Sequence, residues 1–266
     1  MMHFKRIAGV FGAMLAGLAH VALAQQDPQA PRTSGFVEAG VTHHSLSSGL
    51  GDWNGQFVRG TAVSGSNTWL GDLWRWSQFG DQGTYAALGN THVWNPDWYS
   101  NITVGTSSGG FFLPRVRVDA FLSRKLLADR SLILTVGAGM YEAKDVHRDQ
   151  SLFLGATYYA ASDWILDGGV RRNNSDPGNV GSSYQHFAVT HGRNKDQLLT
   201  ARYAFGREAY QLVGPGTVIS DFTSRSGSVI WRKWLNPTWG LNLRGERYLN
   251  PTYSRSGVDV SLFFEY

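Results

Sequence analysis

A histidine and a serine near the start of the chain have the residue types of a general base and a nucleophile. In Thr42-His43-His44-Ser45, His43 and Ser45 would share one face of a β-strand, and His44 would face the other way. A serine hydroxyl becomes nucleophilic when an imidazole accepts its proton, and a third group must orient that imidazole. No acid lies close to the pair in sequence, although a neighbouring strand could supply one. We interpret these residues as polar groups at a membrane interface.

The other candidate ligands do not form a metal site. His186 and His191 are five positions apart, which places them on opposite faces of a strand, so a shared metal ion is not expected. His147 lies in the polar segment Asp145–Asp149 and is expected to be solvated. The segment Asn173–Asn179 lacks the spacing and the closing Glu of a calcium loop. The chain contains no cysteine, which excludes disulfides and thiolate sites. We expect no metal, no cofactor and no catalytic residue.

A repeated turn indicates what kind of element must position these side chains. Its starts lie 29, 33, 33, 33 and 42 residues apart, which is the length of two strands with a tight turn and a loop. The sequence therefore predicts a meander of β-hairpins. The turns are Ser66–Trp69, Asn95–Trp98, Ala161–Trp164 and Asn236–Trp239, with the variants Ala128–Arg130 and Asn194–Asp196, which lack the Trp.

Between the turns, apolar and polar residues alternate with the period of a strand. Val116 and Val118 face one way, whereas Arg117 and Asp119 face the other. Charges of both signs on the polar face indicate a wet lumen inside an apolar, lipid-facing wall. We favour ion pairs that fill a narrow lumen; the alternative is a small aqueous path or a sugar-binding groove. The residues predicted to line the lumen are Glu38, Arg115, Arg117, Asp119, Asp167, Arg171, Arg202, Glu208, Arg244, Glu246, Asp259 and Glu265.

The predicted fold is an all-β, antiparallel, up-and-down transmembrane β-barrel of about fourteen strands over residues 35–266, with twelve strands as the alternative. An even number of strands leaves both chain ends on one side. The six repeated turns then share that rim, which we assign to the periplasm. The longer connections share the other rim: Gly109–Pro114, Asp145–Asp149, Ser175–Ser182 and Gln211–Ser220.

Both ends of the chain have features of an exported protein. Lys5 and Arg6 precede an apolar stretch that ends in Ala22-Leu23-Ala24, as in a signal peptide cleaved after residue 24. Residues 25–34 would form a flexible lead-in. The last strand alternates and ends on an aromatic residue, like the signal that the barrel assembly machinery recognises. Its apolar or aromatic positions are Val258, Val260, Leu262, Phe264 and Tyr266.

The composition fits a bacterial outer membrane better than a soluble compartment. Aromatic residues make up 13% of the chain, including ten Trp, and only 17% is charged. Barrels place aromatic side chains in girdles at the two bilayer interfaces. We interpret Trp74, Trp76, Phe111 and Phe112 as such a girdle, with stacking on sugar rings as the alternative. The formal charge of +4 is too small and too evenly spread for nucleic acid binding.

The C-terminal part of the chain contains three distinctive motifs: Gly206-Arg207-Glu208-Ala209-Tyr210, the segment 227–234, and Trp239-Gly240-Leu241 with Gly245-Glu246-Arg247-Tyr248. In these motifs, and in its size and its signal-plus-barrel plan, the chain resembles the YaiO family of outer-membrane β-barrel proteins. The resemblance implies an outer-membrane location and a loose association with envelope or surface-polysaccharide genes. It brings no catalytic residues with it.

Together these features predict a non-enzymatic outer-membrane barrel that serves as a structural or transport component of the bacterial envelope, with a link to surface polysaccharide export. The expected partners are outer-membrane lipid and lipopolysaccharide, the barrel assembly machinery during insertion, and a polysaccharide. The alternative is a lipid- or glycan-modifying barrel enzyme with its site at the outer rim.

Overall fold

The described part of the chain forms one closed antiparallel barrel of fourteen strands. The computed structural model describes residues 34–160, 163–214 and 217–266; the predicted signal peptide and the lead-in before Ser34 lie outside them. In chain order, the strands are β1 (Ser34–Leu46), β2 (Trp53–Ser64), β3 (Asn67–Gln78), β4 (Asp81–Val93), β5 (Trp98–Gly109), β6 (Val116–Leu126), β7 (Leu132–Glu142), β8 (Arg148–Ala160), β9 (Trp164–Asp176), β10 (Val180–Arg193), β11 (Gln197–Gly214), β12 (Thr217–Trp234), β13 (Trp239–Leu249) and β14 (Ser254–Glu265).

Pairing of the first strand with the last closes the sheet. β1 and β14 are hydrogen-bonded from Phe36 opposite Glu265 to Leu46 opposite Arg255. Beyond them, Gly35 and Tyr266 exchange two backbone hydrogen bonds of 3.1 and 3.0 Å. A closed barrel has no strand edge to pair with another chain. The fourteen-strand prediction is confirmed, and the alternative of twelve strands is wrong.

The two faces of each strand differ in the way the alternation predicts. On β1, Val37 and Val41 are exposed on the outer face of the barrel, whereas Glu38 between them is 1% exposed and points into the lumen. The exposed row continues around the barrel through large apolar side chains such as Leu88, Leu152 and Phe187. Aliphatic side chains on the outside and charged ones inside are the pattern of a barrel surrounded by lipid.

Short turns join the strands at the rim that also holds β1's start and β14's end, here called the terminal rim. The repeated sequence has a physical cause: Asn95 Oδ1 accepts hydrogen bonds from the backbone N–H groups of Asp97 and Trp98. Such a side-chain bond holds a tight turn. Asn236 makes the same two bonds to the residues that follow it. The turn at 161–164 lies partly outside the described residues.

The opposite rim, here called the distal rim, differs from the prediction at two connections. The predicted loop Ser175–Ser182 is a short turn of residues 177–179, because β9 continues to Asp176 and β10 begins at Val180. Gln211–Ser220 was predicted as a loop, but β11 continues to Gly214 and β12 begins at Thr217. Both strands are 18 residues long, and their outer ends form a hairpin that extends beyond their neighbours. The distal hairpin is defined here as residues 207–214 and 217–223.

Candidate functional site

Three groups of ion pairs fill much of the lumen, and the first lies towards the terminal rim. Glu38 accepts hydrogen bonds from Arg59 at 2.8 and 3.2 Å and from Ser261 at 2.6 Å. Arg232 pairs with Glu265 at 3.2 Å, and its guanidinium stacks over the Phe263 ring at 3.6 Å. Phe263 is fully buried and packs with Leu198 and Trp234. This end of the lumen is therefore occupied by side chains.

The second group lies on β1, β13 and β14 towards the distal rim. Asp259 accepts a hydrogen bond from Thr42 at 2.5 Å and lies 3.3 Å from His44 Nε2. Arg244 pairs with both Asp259 and Glu246. Arg255 pairs with Glu246 at 2.5 Å and stacks over Trp53. Every predicted acid in this part of the lumen thus has a basic partner.

The third group lies on the opposite wall. Asp119 bonds Arg117 at 2.6 Å and Arg171 at 3.2 Å. Asp167 accepts hydrogen bonds from Thr157 at 2.8 Å and pairs with His186 at 2.9 Å. The Asp167 side chain remains 38% exposed, the largest exposed fraction among the lumen acids of the three groups.

Arg202 differs from the other lumen arginines. Its guanidinium has no ion pair or hydrogen bond with any residue that the structure describes. The strand register gives the reason, because its inward neighbours are Ala188 on β10 and Ser228 on β12. The nearest acids on either side, Asp167 and Glu246, are two strands away, or about 10 Å at ordinary strand spacing. Its directly paired neighbours are therefore small, and among the described acids only the more distant Asp167 and Glu246 balance its positive charge.

Two residues that the sequence predicted to line the lumen lie near the distal rim instead. Arg115 precedes β6 at the distal rim, is more than half exposed, and pairs with Glu142 rather than standing on the lumen wall. Glu208 lies at the base of the distal hairpin, buried against Ser224 and Tyr248. Sequence reasoning missed several inward residues that the same alternation could have found: Arg59, Asp72, His186, Arg232 and Arg255.

The interpretation of Trp74, Trp76, Phe111 and Phe112 as an aromatic girdle is wrong. Trp74 and Trp76 face the lumen, where they stack with ring centroids 5.0 Å apart. Phe112 and Leu113 fold back from the β5–β6 connection and pack on Trp76 and on Tyr85, both buried. Lipid would meet these rings only if they pointed outward. Instead, they form an apolar cluster that narrows the lumen on the β2–β5 side.

The distal hairpin bends inward at the mouth of the lumen. Ala209, Tyr210, Gln211 and Leu212 are all buried, so both faces of this segment are enclosed, unlike the alternating strands below. On one side, the Tyr210 hydroxyl donates to Asp149 at 2.8 Å. On the other side, Gln211 and Tyr253 exchange hydrogen bonds of 2.6 and 2.9 Å. The hairpin thus joins β8 to the β13–β14 connection across the opening.

His147 belongs to this closure and is not the solvated residue that the sequence predicted. It is 2% exposed, its Nδ1 lies 2.8 Å from Asp145, and its ring packs 4.8 Å from that of Tyr210. Burial lowers the pKa of His147 to about 4, although the Asp145 carboxylate opposes this shift. Burial also raises the pKa of the Tyr253 hydroxyl to about 12. Both groups are therefore neutral near pH 7.

On the outside of the barrel, the predicted His–Ser pair has a third partner. His43 Nε2 lies 3.4 Å from Ser45 Oγ, and His43 Nδ1 lies 2.8 Å from Asn54 Oδ1. All three side chains are exposed on the outer face. His44 points inward, is buried, and packs beside Trp53 and Trp76. Asn54 was missed because it lies on β2, opposite His43 in the register.

A groove of about 440 Å³ lies lower on the outer face, where Gly60 and Gly71 are paired across β2 and β3. Among the described residues, no group of three or more His, Asp or Glu side chains could hold a metal ion. No described helix is long and apolar enough to span a membrane.

A family model described as the YaiO membrane beta barrel domain matches residues 35–211. This match covers more than half of the chain. The chain belongs to the YaiO family. The matched residues include Gly206–Tyr210 but end before 227–248, so the first eleven strands carry the family match and the last three do not. Membership in a family of membrane β-barrels, together with the likeness to the outer membrane protein Omp33 described next, supports an outer-membrane location.

Solved structures similar to this YaiO barrel share its fold at low sequence identity. The CymD monoaromatic hydrocarbon channel is 8% identical, with 89% of this chain and 88% of that chain covered and a TM-score of 0.58. The TodX monoaromatic hydrocarbon channel deltaS2 mutant is 10% identical over 90% of each chain, with a TM-score of 0.56. Omp33 of Acinetobacter baumannii is 7% identical over 88% of this chain and 99% of that chain, with a TM-score of 0.52. No curated protein matches the sequence.

Proposed function

We propose that this YaiO barrel transports small polar solutes across the outer membrane through a narrow lumen that the distal hairpin closes. The lumen is occupied but not sealed along its whole length. Asp167 is partly accessible and Arg202 has only small neighbours. A path lined by charges and hydroxyls suits hydrated solutes, because these groups replace the hydrogen bonds that a solute loses.

The nature of the closure is the observation that carries this proposal. The contacts across the mouth include hydrogen bonds from Tyr210 to Asp149 on β8 and from Gln211 to Tyr253 in the β13–β14 connection. A typical hydrogen bond contributes a net stability of about 1 kcal/mol, so an opened state lies within reach of thermal motion. Such a hairpin can open and close, as the outer elements of a gated channel must.

Two of the structurally similar proteins, CymD and TodX, are described as channels for monoaromatic hydrocarbons. At 8 and 10% identity, the likeness establishes the barrel fold, and the solute must be argued from this lumen. Its charged wall favours polar solutes over hydrocarbons. The resemblance to the YaiO family also suggests a role in polysaccharide export. This role stays a prediction, which the oligosaccharide uptake measurement described below tests.

Flux through the purified protein tests the proposal. In proteoliposomes, we expect slow uptake of small ions and monosaccharides by the wild type. Gln211→Ala leaves the buried Tyr253 hydroxyl without its partner, which costs about 1–3 kcal/mol in the closed state, so uptake should rise about 5- to 150-fold. Oligosaccharide uptake by this variant would support the polysaccharide link.

Asp221→Asn is the matched control, because Asp221 lies on the same hairpin but pairs outward with Arg207. Its uptake should equal that of the wild type. Equal and negligible uptake by all three proteins would contradict transport. Heat-modifiable electrophoretic migration verifies that each variant has folded.

A further inference from the structure

Three side chains on the outer face of the barrel have the connectivity of a serine hydrolase triad. Ser45 Oγ lies 3.4 Å from His43 Nε2, and His43 Nδ1 lies 2.8 Å from Asn54 Oδ1. Asn54 Oδ1 can only accept, so Nδ1 carries the ring hydrogen and Nε2 has its lone pair towards the serine. A nucleophile, a base and an orienting group in this order activate the hydroxyl. The long Ser–His distance is common before substrate binds.

The strand geometry holds these groups together. His43 and Ser45 share a face of β1 because they are two residues apart. Asn54 lies directly opposite His43 on β2, where facing Cβ atoms are about 5 Å apart. The triad therefore depends on rigid strands instead of a mobile loop, which is the arrangement that keeps reacting groups in register.

The position of the triad on the barrel indicates its substrate. Directly below His43 on the same face is Val41, 58% exposed, and beside it on β14 is Val258, 56% exposed. Both belong to the apolar wall that faces lipid. Above Ser45, the strand ends at Leu46 in the polar distal rim. The triad thus lies at the boundary between hydrocarbon and head groups, the depth at which acyl chains are esterified to lipid head groups.

Neighbouring polar groups can stabilise the charges that ester cleavage creates. Ser256 lies directly opposite Ser45 on β14, and its hydroxyl oxygen accepts a hydrogen bond from Arg247. Ser256 can therefore donate its own hydrogen to a developing oxyanion. Arg247 can also bind a lipid phosphate. The Asp52 carboxylate lies 3.8 Å from His43 Nε2, where it would stabilise the imidazolium.

We propose that Ser45, His43 and Asn54 form a catalytic site that hydrolyses fatty-acyl esters of lipids in the outer leaflet. Ser45 Oγ attacks the ester carbonyl carbon while His43 Nε2 takes its proton. The tetrahedral intermediate collapses, the C–O bond to the leaving alcohol breaks, and that alcohol takes the proton from His43. Water, deprotonated by His43, then attacks the acyl-serine. Fatty acid leaves, and Ser45 regains its proton from His43, so ester and water give alcohol and acid.

This site is separate from the lumen and from the proposed transport. All three residues face lipid, whereas the hairpin and Arg202 face the interior. The sequence-based expectation of a non-enzymatic barrel rested in part on the lack of an orienting acid near His43 in sequence; Asn54 on the neighbouring strand fills that role here. Asn54 is a positioning residue, and Ser45 and His43 are the catalytic residues.

Purified protein in mixed micelles tests the inference. Phosphatidylethanolamine in one arm and lipopolysaccharide in the other distinguish the two sources of acyl ester, with released fatty acid measured by mass spectrometry. Ser45→Ala and His43→Ala should each lower release at least about 10³-fold. Asn54→Ala should lower kcat with little change in KM, and Asn54→Asp should restore part of it. A fluorophosphonate probe should label the wild type at Ser45 and should not label Ser45→Ala.

Ser77→Ala and His191→Ala are the controls. Ser77 is exposed on the outer face of β3, opposite Asn54; His191 lies beside Trp164 near the terminal rim. Both should hydrolyse ester at the wild-type rate. Equal release by the wild type and Ser45→Ala would overturn the inference. So would the absence of release and labelling from folded wild-type protein in both lipid arms.

Discussion

Arg171 on β9 meets Asp119 on β6 across two intervening strands, with Arg171 Nη1 3.2 Å from Asp119 Oδ1. The lumen permits this contact because Gly139 on β7 and Ser151 on β8 lie between them. A Cβ at Gly139 would lie 2.8 Å from Asp119 Oδ1 and 2.7 Å from Ser151 Oγ, so a larger residue there would displace the side chains of this contact. The pair shows that the lumen walls are held together by charges that reach over whole strands.

Removing Asp119 should destabilise the barrel more than removing any exposed acid. Asp119→Ala leaves the guanidinium groups of Arg117 and Arg171 without the carboxylate that they share. Removing one partner of a buried ion pair lowers the free energy of unfolding by about 3–5 kcal/mol. Asp97→Ala, which breaks the half-exposed pair with Arg130, should cost about 0–1 kcal/mol. Urea unfolding in detergent micelles measures both, and equal losses would refute the structural role of the lumen pairs.

The fold could be predicted because its signals are local. Alternation on Val116–Asp119 and a turn held by Asn95 depend on residues within one hairpin. The same reasoning misplaced the predicted girdle residues near the distal rim. Alternation separates the two faces of a strand, but it does not say which aromatic rings face the lumen. Trp76 faces inward because Phe112 and Leu113 fold back against it, a contact between a strand and a distant loop.

The candidate sites depended on contacts that no sequence spacing reveals. Asn54 meets His43 only through the register of β1 with β2. Tyr210 reaches Asp149, 61 residues away, because the hairpin bends over the mouth. A Gly/Pro-rich segment at 214–216 reads as a loop, and its flanking strands extend because they pair with each other. Burial of His147 followed from the same bend.

Closure of the mouth should weaken as pH falls. The pKa of His147 is about 4 in the closed state, lowered from 6.5 mainly by burial. Facing it are Asp145, the Tyr210 ring and, through the Tyr210 hydroxyl, Asp149. The open state binds the proton more readily, so stability of closure rises with pH between about 4 and 6.5 and is lost as pH falls through that window.

Proteoliposome flux between pH 7.5 and 4 measures this dependence. Wild-type uptake should increase towards pH 4. His147→Gln cannot take up a proton, so its uptake should vary less across that range. An identical pH profile for the two proteins would exclude His147 as the titrating group.

The unpaired charge of Arg202 should make the open path prefer anions. Planar-bilayer recordings in a KCl gradient measure the preference as a reversal potential, in a Gln211→Ala background whose mouth is open. Arg202→Gln should shift that potential towards the value for cation selectivity. The carboxylates of Asp167 and Glu246, two strands away on either side, then set the charge of this part of the lumen wall. Arg207→Gln, on the outward face of the hairpin, should leave it unchanged. If Arg202→Gln did not shift the potential, the solute path would not run past this side chain.

Opening of the distal hairpin is the central claim for the lumen, and a cross-link across the mouth tests it most directly. The natural chain contains no cysteine, so Gln211→Cys with Tyr253→Cys introduces the only two thiols. Single-channel conductance is recorded before and after a short bismaleimide joins them. We predict frequent openings before cross-linking and a return to wild-type closure afterwards. Conductance that is unaltered by the cross-link, or absent in both states, would contradict a lumen that this hairpin gates.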